Sequence, residues 1–253
     1  MSRPSDISRT WLIRASAALL VLALVYATTV AARNGLADLY SGAAGKFLQD
    51  SRDAGITLSE AEWQAVHTNL RRALSLEPNN PETLTELGRL HRIQLERDTL
   101  EPAEIERHGG LAISYYERAA MLRPARPWLW VSLAHVRWEL YQDDGDAYHQ
   151  ALLLAMHFGS REAGVQRWVL RLTMDTWESL SVDVRQAVLA MIDAALELTP
   201  EALDAMTDSK WRRVCEAASS AAATDSHRGR MLSLSRLQRD CEARSPEQAP
   251  DLT

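Results

Sequence analysis

Two stretches of the chain, Leu70–Arg92 (LRRALSLEPNNPETLTELGRLHR) and Tyr116–Trp138 (YERAAMLRPARPWLWVSLAHVRW), align without a gap. Ala73 matches Ala119, Leu76 matches Leu122, Pro78 matches Pro124, Pro81 matches Pro127, Leu84 matches Trp130, Leu87 matches Leu133 and Gly88 matches Ala134. An internal repeat restricts the chain to architectures in which one short unit stacks on its next copy. The pattern inside the unit says which kind. Small residues let two helices approach closely, large apolar ones fill the seam, and proline stops one helix before the next turns back. With only Gly 11, Pro 9 and Phe 2 in 253 residues, strand and turn formers are scarce, so the chain is expected to be all-α. At 46% apolar residues it can also bury a sizeable core.

The unit resembles the tetratricopeptide repeat (TPR). The resemblance covers residues 59–200, with Leu70–His91 as one good unit and Ala112-x3-Tyr116-x2-Ala119-x4-Pro124 as another. A third unit, with Tyr148, Leu152 and Ala155 before Ser160, and a fourth, with Val188, Ile192, Ala195 and Pro200, are degenerate. The spacing is irregular: Pro78 to Pro124 is 46 residues, Pro124 to Ser160 is 36 and Ser160 to Pro200 is 40, against the ~34 of the family. The extra length in the first interval is expected as a charged loop over 97–110, ending in Gly109-Gly110. Helix starts are written in the sequence. Ser59-x-x-Glu62 and Thr57-x-x-Glu60 both fit a capping box, and Asn80-Pro81 caps the helix carrying Leu84, Leu87, Gly88 and His91. Beyond Pro200, a helix over 203–218, a Ser/Ala-rich link over 219–226 and a last helix over 228–243 are expected to close the array. The tail over 244–253 is expected to be disordered.

The amino end determines the compartment. Ala15–Ala32 (ASAALLVLALVYATTVAA) is 18 residues without a charge, long enough to cross a bilayer as a helix. Arg3, Arg9 and Arg14 precede it and Arg33 follows, with Lys46 further on, so the positive-inside bias puts the amino end in the cytoplasm and the rest outside. Val30-Ala31-Ala32 also offers the small residues of a signal-peptidase site, and a cleaved signal or a buried core helix are the competing readings. The expected order is a cytoplasmic end (1–14), a transmembrane helix (15–32), a stalk or first helix (33–58), a degenerate TPR-like array (59–200), capping helices (201–243) and a tail (244–253). On the first helix, Leu36, Leu39, Tyr40, Ala43 and Phe47 are expected to form the packing stripe.

Charge and cysteine content narrow the function. The chain has 28 Lys and Arg against 34 Asp and Glu, a formal charge of -6. Arg3, Arg9 and Arg14 against Asp6 make the amino end basic, so the remainder is more acidic still, which disfavours nucleic acid as a partner. The only cysteines, Cys215 and Cys241, exclude a four-cysteine metal site. They fall on the last two expected helices, where export would let them oxidise to a disulfide; buried thiols are the alternative. HExxH, a glycine-rich phosphate loop, GxSxG and CxxC are all missing, and no carboxylate pair stands out among the acidic residues for glycoside hydrolysis. His149 and His157 are eight residues apart, too far for one helical turn to present both to a metal, and Asp143-Asp144-Gly145-Asp146 lacks the later ligands of an EF-hand and reads as a turn. Neither a catalytic constellation nor a cofactor or metal is therefore expected.

What is left is surface. The first helix of each unit is expected to turn one stripe toward a groove: Glu82, Thr85, Arg89 and Arg92 in the first unit, Trp128, Val131, His135 and Trp138 in the second, and Gly164, Arg167, Arg171 and Met174 in the third. Arg89, Arg92, Trp128, His135, Trp138, Arg167 and Arg171 are the candidate partner-binding residues, because guanidinium grips carboxylates in two places and indole offers a large rigid face. Trp130 and Trp168 are expected in the core.

The segment from Arg126 onward, with Arg126-Pro-Trp-x-Trp130, Trp138 and Trp168-x8-Trp177, is similar to VpsP-type proteins of bacterial exopolysaccharide gene clusters. That resemblance implies a membrane-anchored, TPR-like accessory to polysaccharide biosynthesis and export, without established catalytic residues. Two functions compete: an inner-membrane scaffold whose periplasmic array binds a protein of an envelope assembly, or a polysaccharide, and an accessory domain or unrecognised enzyme acting on envelope polymers.

Overall fold

A computed structural model describes residues 4–55, 57–97, 100–141, 145–204, 206–225 and 234–244. Among them every regular element is helical: α1 (Pro4–Asp53), α2 (Glu60–Leu76), α3 (Pro81–Leu95), α4 (Pro102–Leu122), α5 (Pro127–Leu140), α6 (Gly145–Phe158), α7 (Ala163–Asp175), α8 (Val182–Leu198), α9 (Asp208–Asp225) and α10 (Ser235–Arg244). Short 3-10 turns at Trp177–Ser179 and Pro200–Leu203 flank α8. The chain is all-α, an apolar amino-terminal helix followed by consecutive packed helices. It divides into two compact units, Met1–Leu90 and His91–Thr253.

In the first unit, α1 runs unbroken from the apolar stretch into packed structure, so residues 33–53 continue the same helix. None of the side chains at 15–32 is buried, which removes the core-helix reading of that stretch. Further on, Ala37, Ala44 and Leu48 are buried as α1 packs along α2. The expected stripe is thus rotated by about one residue: Leu39 is 70% exposed, and Leu36 and Phe47 are also exposed. Small side chains at Ala37 and Ala44 allow the close helix approach that a leucine stripe would prevent. The capping box forms as the sequence indicates, with Ser59 N–H donating to Glu62 Oε2 at 2.8 Å and Glu62 N–H to Ser59 Oγ at 3.3 Å. Asn80 Oδ1 accepts from Thr83 N–H at 2.9 Å, capping α3. Trp63 Nε1 donates to the Leu90 carbonyl at 3.2 Å, joining α2 to α3.

In the second unit, α5 packs between α4, α6 and α7, and α8 backs α6 and α7 before the two carboxyl-terminal helices. The repeat positions Tyr116, Ala119, Leu133 and Ala134 are buried, as are Tyr148, Leu152 and Ala155 of the third unit and Val188, Ile192 and Ala195 of the fourth. The expected loop over 97–110 is largely helix: Pro102 starts α4, which continues through both glycines. Gly109 is there because a Cβ would stand 2.1 Å from Leu140 Cδ1, so its bareness seats α5 against α4. The expected link over 219–226 is helical to Asp225, because alanine continues α9. Residue 226, the beginning of the expected last helix (228–233), the tail 245–253 and Asp143-Asp144 lie outside the described residues. Cys215 of α9 and Cys241 of α10 are joined by a disulfide, with Cα atoms 5.6 Å apart.

Candidate functional site

Of the seven candidate groove residues, Arg89 lies in the first unit and six lie in the second. Arg89 is half-buried and pairs with Glu86, one turn back, at 3.2 Å. Arg92 pairs with Glu96 at 2.7 Å, and its side chain is only 14% exposed. Burial works against its charge, but Tyr116, Glu96 and Glu139 outweigh that and raise its pKa, so it stays a cation inside the fold. Both arginines are thus engaged within the chain and are poorer free recognition groups than solvated ones.

The face of α5 follows from helix geometry. At about 100° per residue, steps of seven and eleven return close to the direction of Trp128, so His135 and Glu139 share its face. Steps of three and ten swing Val131 and Trp138 about 60–80° aside, toward the seam. The structure shows that division. Trp128 is 40% exposed, and His135 Nε2 lies 3.2 Å from Glu139 Oε1. Val131 is buried, which corrects its place on the groove, and Trp138 leans on Tyr148 of α6 with ring centroids 5.6 Å apart. Trp138 therefore borders the face that carries Trp128 and His135 without lining its centre.

The same rotation orders α7. Arg171 shares the face of Gly164, while Met174 turns inward and is buried. Gly164 gives room to Trp128, whose Cζ2 would be 3.0 Å from a Cβ there. Trp168, expected in the core, is half-buried at the surface. Its ring lies 5.5 Å from that of His135, and the guanidinium of Arg171 sits over it at 5.1 Å. Trp130 is likewise half-buried, its Nε1 donating to the Pro124 carbonyl at 2.7 Å and closing the turn between α4 and α5. Trp128, His135, Trp168 and Arg171 thus form one connected surface across α5 and α7.

That surface runs into a cleft of about 360 Å³ beside α7, closed by Ala202 of the 3-10 turn and by Met206 and Lys210. Arg167 and Arg171 stand on its wall, and Leu170 and Met174 make its apolar lining. Arg167 Nη2 donates to the Glu201 carbonyl at 3.1 Å, and Lys210 Nζ is 3.6 Å from Asp175 Oδ1. Met206 and Lys210 carry no repeat signal, so only the folded chain brings them to Arg167.

Sequence reasoning also missed a buried polar pair. His91 Nδ1 and His108 Nδ1 are 2.9 Å apart, and His91 stacks on Tyr115 at 5.7 Å. The Arg107 guanidinium reaches His108 Nε2 at 3.1 Å, which assigns the His108 proton to Nδ1, donating to His91. His149 accepts from Ser181 N–H at 3.4 Å and His157 is exposed. Among the described residues, no three His, Cys, Asp or Glu side chains are grouped to hold a metal ion.

No protein-family model matches the chain, and no curated protein matches it. A solved structure titled "Functional Characterization of Pseudomonas Aeruginosa pilF" is similar at a TM-score of 0.29 and 14% identity, covering 85% of this chain and 100% of that one. A likeness that slight transfers neither partner nor activity.

Proposed function

We propose that the protein is a membrane-anchored scaffold: residues 15–32 hold it in the bacterial inner membrane, the helical array lies on the periplasmic side, and the groove binds a protein of an envelope assembly. Arg92, Trp128, His135, Trp138, Arg167 and Arg171 are its proposed contact residues on the second unit, and Arg89 is a proposed contact residue on the first. One observation carries the reading. The apolar half of α1 has no protein over it, with Leu20 and Tyr26 about 70% exposed, yet the same helix continues into a packed unit. A surface of that kind needs lipid or a partner to cover it. The disulfide between Cys215 and Cys241 supports an oxidising compartment. The similarity to VpsP-type proteins supplies the particular setting, exopolysaccharide biosynthesis and export.

Two measurements test this. A reporter fused at Thr253 should be active in the periplasm, and residues after Arg33 should be cut by protease only once the outer membrane is opened. A photo-crosslinking residue at Trp128 should yield an adduct with an envelope protein. Activity of a cytoplasm-only reporter at Thr253 would overturn the orientation, and absence of any protein adduct would overturn the adaptor reading.

A further inference from the structure

The cleft beside α7 has an unbalanced charge. It holds Arg167, Arg171 and Lys210 against Asp175, and Asp175 is engaged by Lys210 at 3.6 Å. Arg167 has a backbone carbonyl as its hydrogen-bond partner, and Arg171 lies over the Trp168 ring. Among the described residues neither guanidinium pairs with a carboxylate. A general excess of cations does not explain this, because the whole chain carries a formal charge of -6. Two arginines that could each take a carboxylate stand together in a concave site, in a chain rich in carboxylates that go elsewhere.

The lining decides what the anion is attached to. Leu170 and Met174 are buried, and Met206 lies beside them, so the depth of the cleft is aliphatic and adaptable. A sugar ring usually needs an open aromatic face, and the Trp168 ring is already taken by Arg171 and His135. A volume of about 360 Å³ is at the small end for ligand sites and suits a pair of amino-acid side chains.

We propose that this cleft binds a segment of a partner protein in which an acidic side chain neighbours a long aliphatic one. Arg167 and Arg171 hold the carboxylate, and Leu170, Met174 and Met206 receive the aliphatic side chain. The proposal rests on the adaptor reading above and specifies the chemistry of the partner.

The test uses the full chain in detergent micelles to pan a random hexapeptide display library. Selected peptides should be enriched in Asp or Glu next to Leu, Ile or Met, and their Kd, read by fluorescence anisotropy, should rise about tenfold or more in Arg167→Gln/Arg171→Gln. Arg171→Gln alone serves as the second variant, since Arg171 has no hydrogen bond among the described residues to lose. Circular dichroism should show both variants folded. Selection without acidic residues, binding indifferent to both variants, or displacement of the peptide by oligogalacturonate at lower concentration would overturn the proposal. An envelope-protein adduct at position 128 that survives in the double variant would also overturn it while leaving the adaptor reading standing.

Discussion

Arg33, the first charge after the apolar stretch, donates from Nη2 to the carbonyl of Leu76 at 3.0 Å, 43 residues further along the chain. Leu76 is the last residue of α2, so the contact satisfies an orphan carbonyl and sets a cation at the negative end of that helix. It also fixes the direction of α2, which returns alongside α1 until its end is level with the boundary of the apolar segment. If residues 15–32 span the bilayer as proposed, the turn after α2 sits at the membrane surface and its start is about 25 Å away. A spin label at Asn79→Cys should therefore be relaxed by membrane-dissolved oxygen, and one at Glu60→Cys should not. Equal relaxation at the two positions would contradict the register. Arg33→Ala should cost only about 0.5–1 kcal/mol of stability, because the pair is exposed.

The disulfide should matter more. It closes a loop with a sequence separation of 26 and ties α10 to α9, while Asp193 of α8 accepts from the Arg236 and Leu237 N–H groups at 2.9 and 2.8 Å and caps α10. Cys241→Ser should lower stability by about 3 kcal/mol, chiefly through the freer unfolded chain. Thermal melting with and without reductant measures it. Wild type should lose stability on reduction, and the variant should be indifferent; a wild type equally indifferent to reductant would show that the capping contacts suffice.

How far the sequence reaches is clearest in the repeat. Leu70 and Tyr116, Ala73 and Ala119, Leu87 and Leu133 all become buried pairs of equivalents, because each position answers to a local period and a neighbouring copy. Leu84 and Trp130 part company: Leu84 is buried, but the indole of Trp130 turns back to Pro124. The failures share one cause. Gly109 reads locally as a loop residue, and only the approach of Leu140 makes it a helical one. The cleft was equally hidden, since Lys210 and Met206 meet Arg167 through the path of the chain around α8 and not through any motif. On α5 and α7 the helical period itself turns Val131 and Met174 about 60–80° off the faces of Trp128 and Gly164, so their burial was legible from the spacing and the expected stripes were drawn too wide.

Arg92 and Leu87 should separate binding from folding less cleanly than two solvated and core residues would. Leu87 is fully buried, so Leu87→Ala should cost about 2–5 kcal/mol through the cavity it leaves. Arg92→Ala removes a largely covered cation from Glu96 and should cost about 1–2 kcal/mol, above the ~0.5 of an exposed substitution. Urea unfolding of the two variants checks the order. An Arg92→Ala variant as stable as wild type would mean that its pairing is only incidental.

Tyr148, buried against Trp138 and Thr176, provides a pH-dependent test of the packing between α5, α6 and α7. Burial pushes its phenol up to about 12, Asp175 adds to the rise, and the hydrogen bond with Thr176 at 3.1 Å partly opposes it. Because the folded-state pKa lies above the unfolded value of 10, the folded chain holds the proton more tightly. Its contribution to stability is therefore complete below about pH 10 and is lost as pH rises from about 10 to 12, by on the order of 2–3 kcal/mol. Tyr148→Phe cannot ionise. At neutral pH it should be less stable than wild type by about 0.5–1.5 kcal/mol, since the hydrogen bond to Thr176 is gone while Thr176 still donates to the Leu172 carbonyl at 2.9 Å. Unfolding free energies measured in parallel from pH 8 to 12 should then converge and cross, the variant losing less with each alkaline step. Parallel curves would show that the Tyr148 phenol ionises as readily in the folded chain as in the unfolded one.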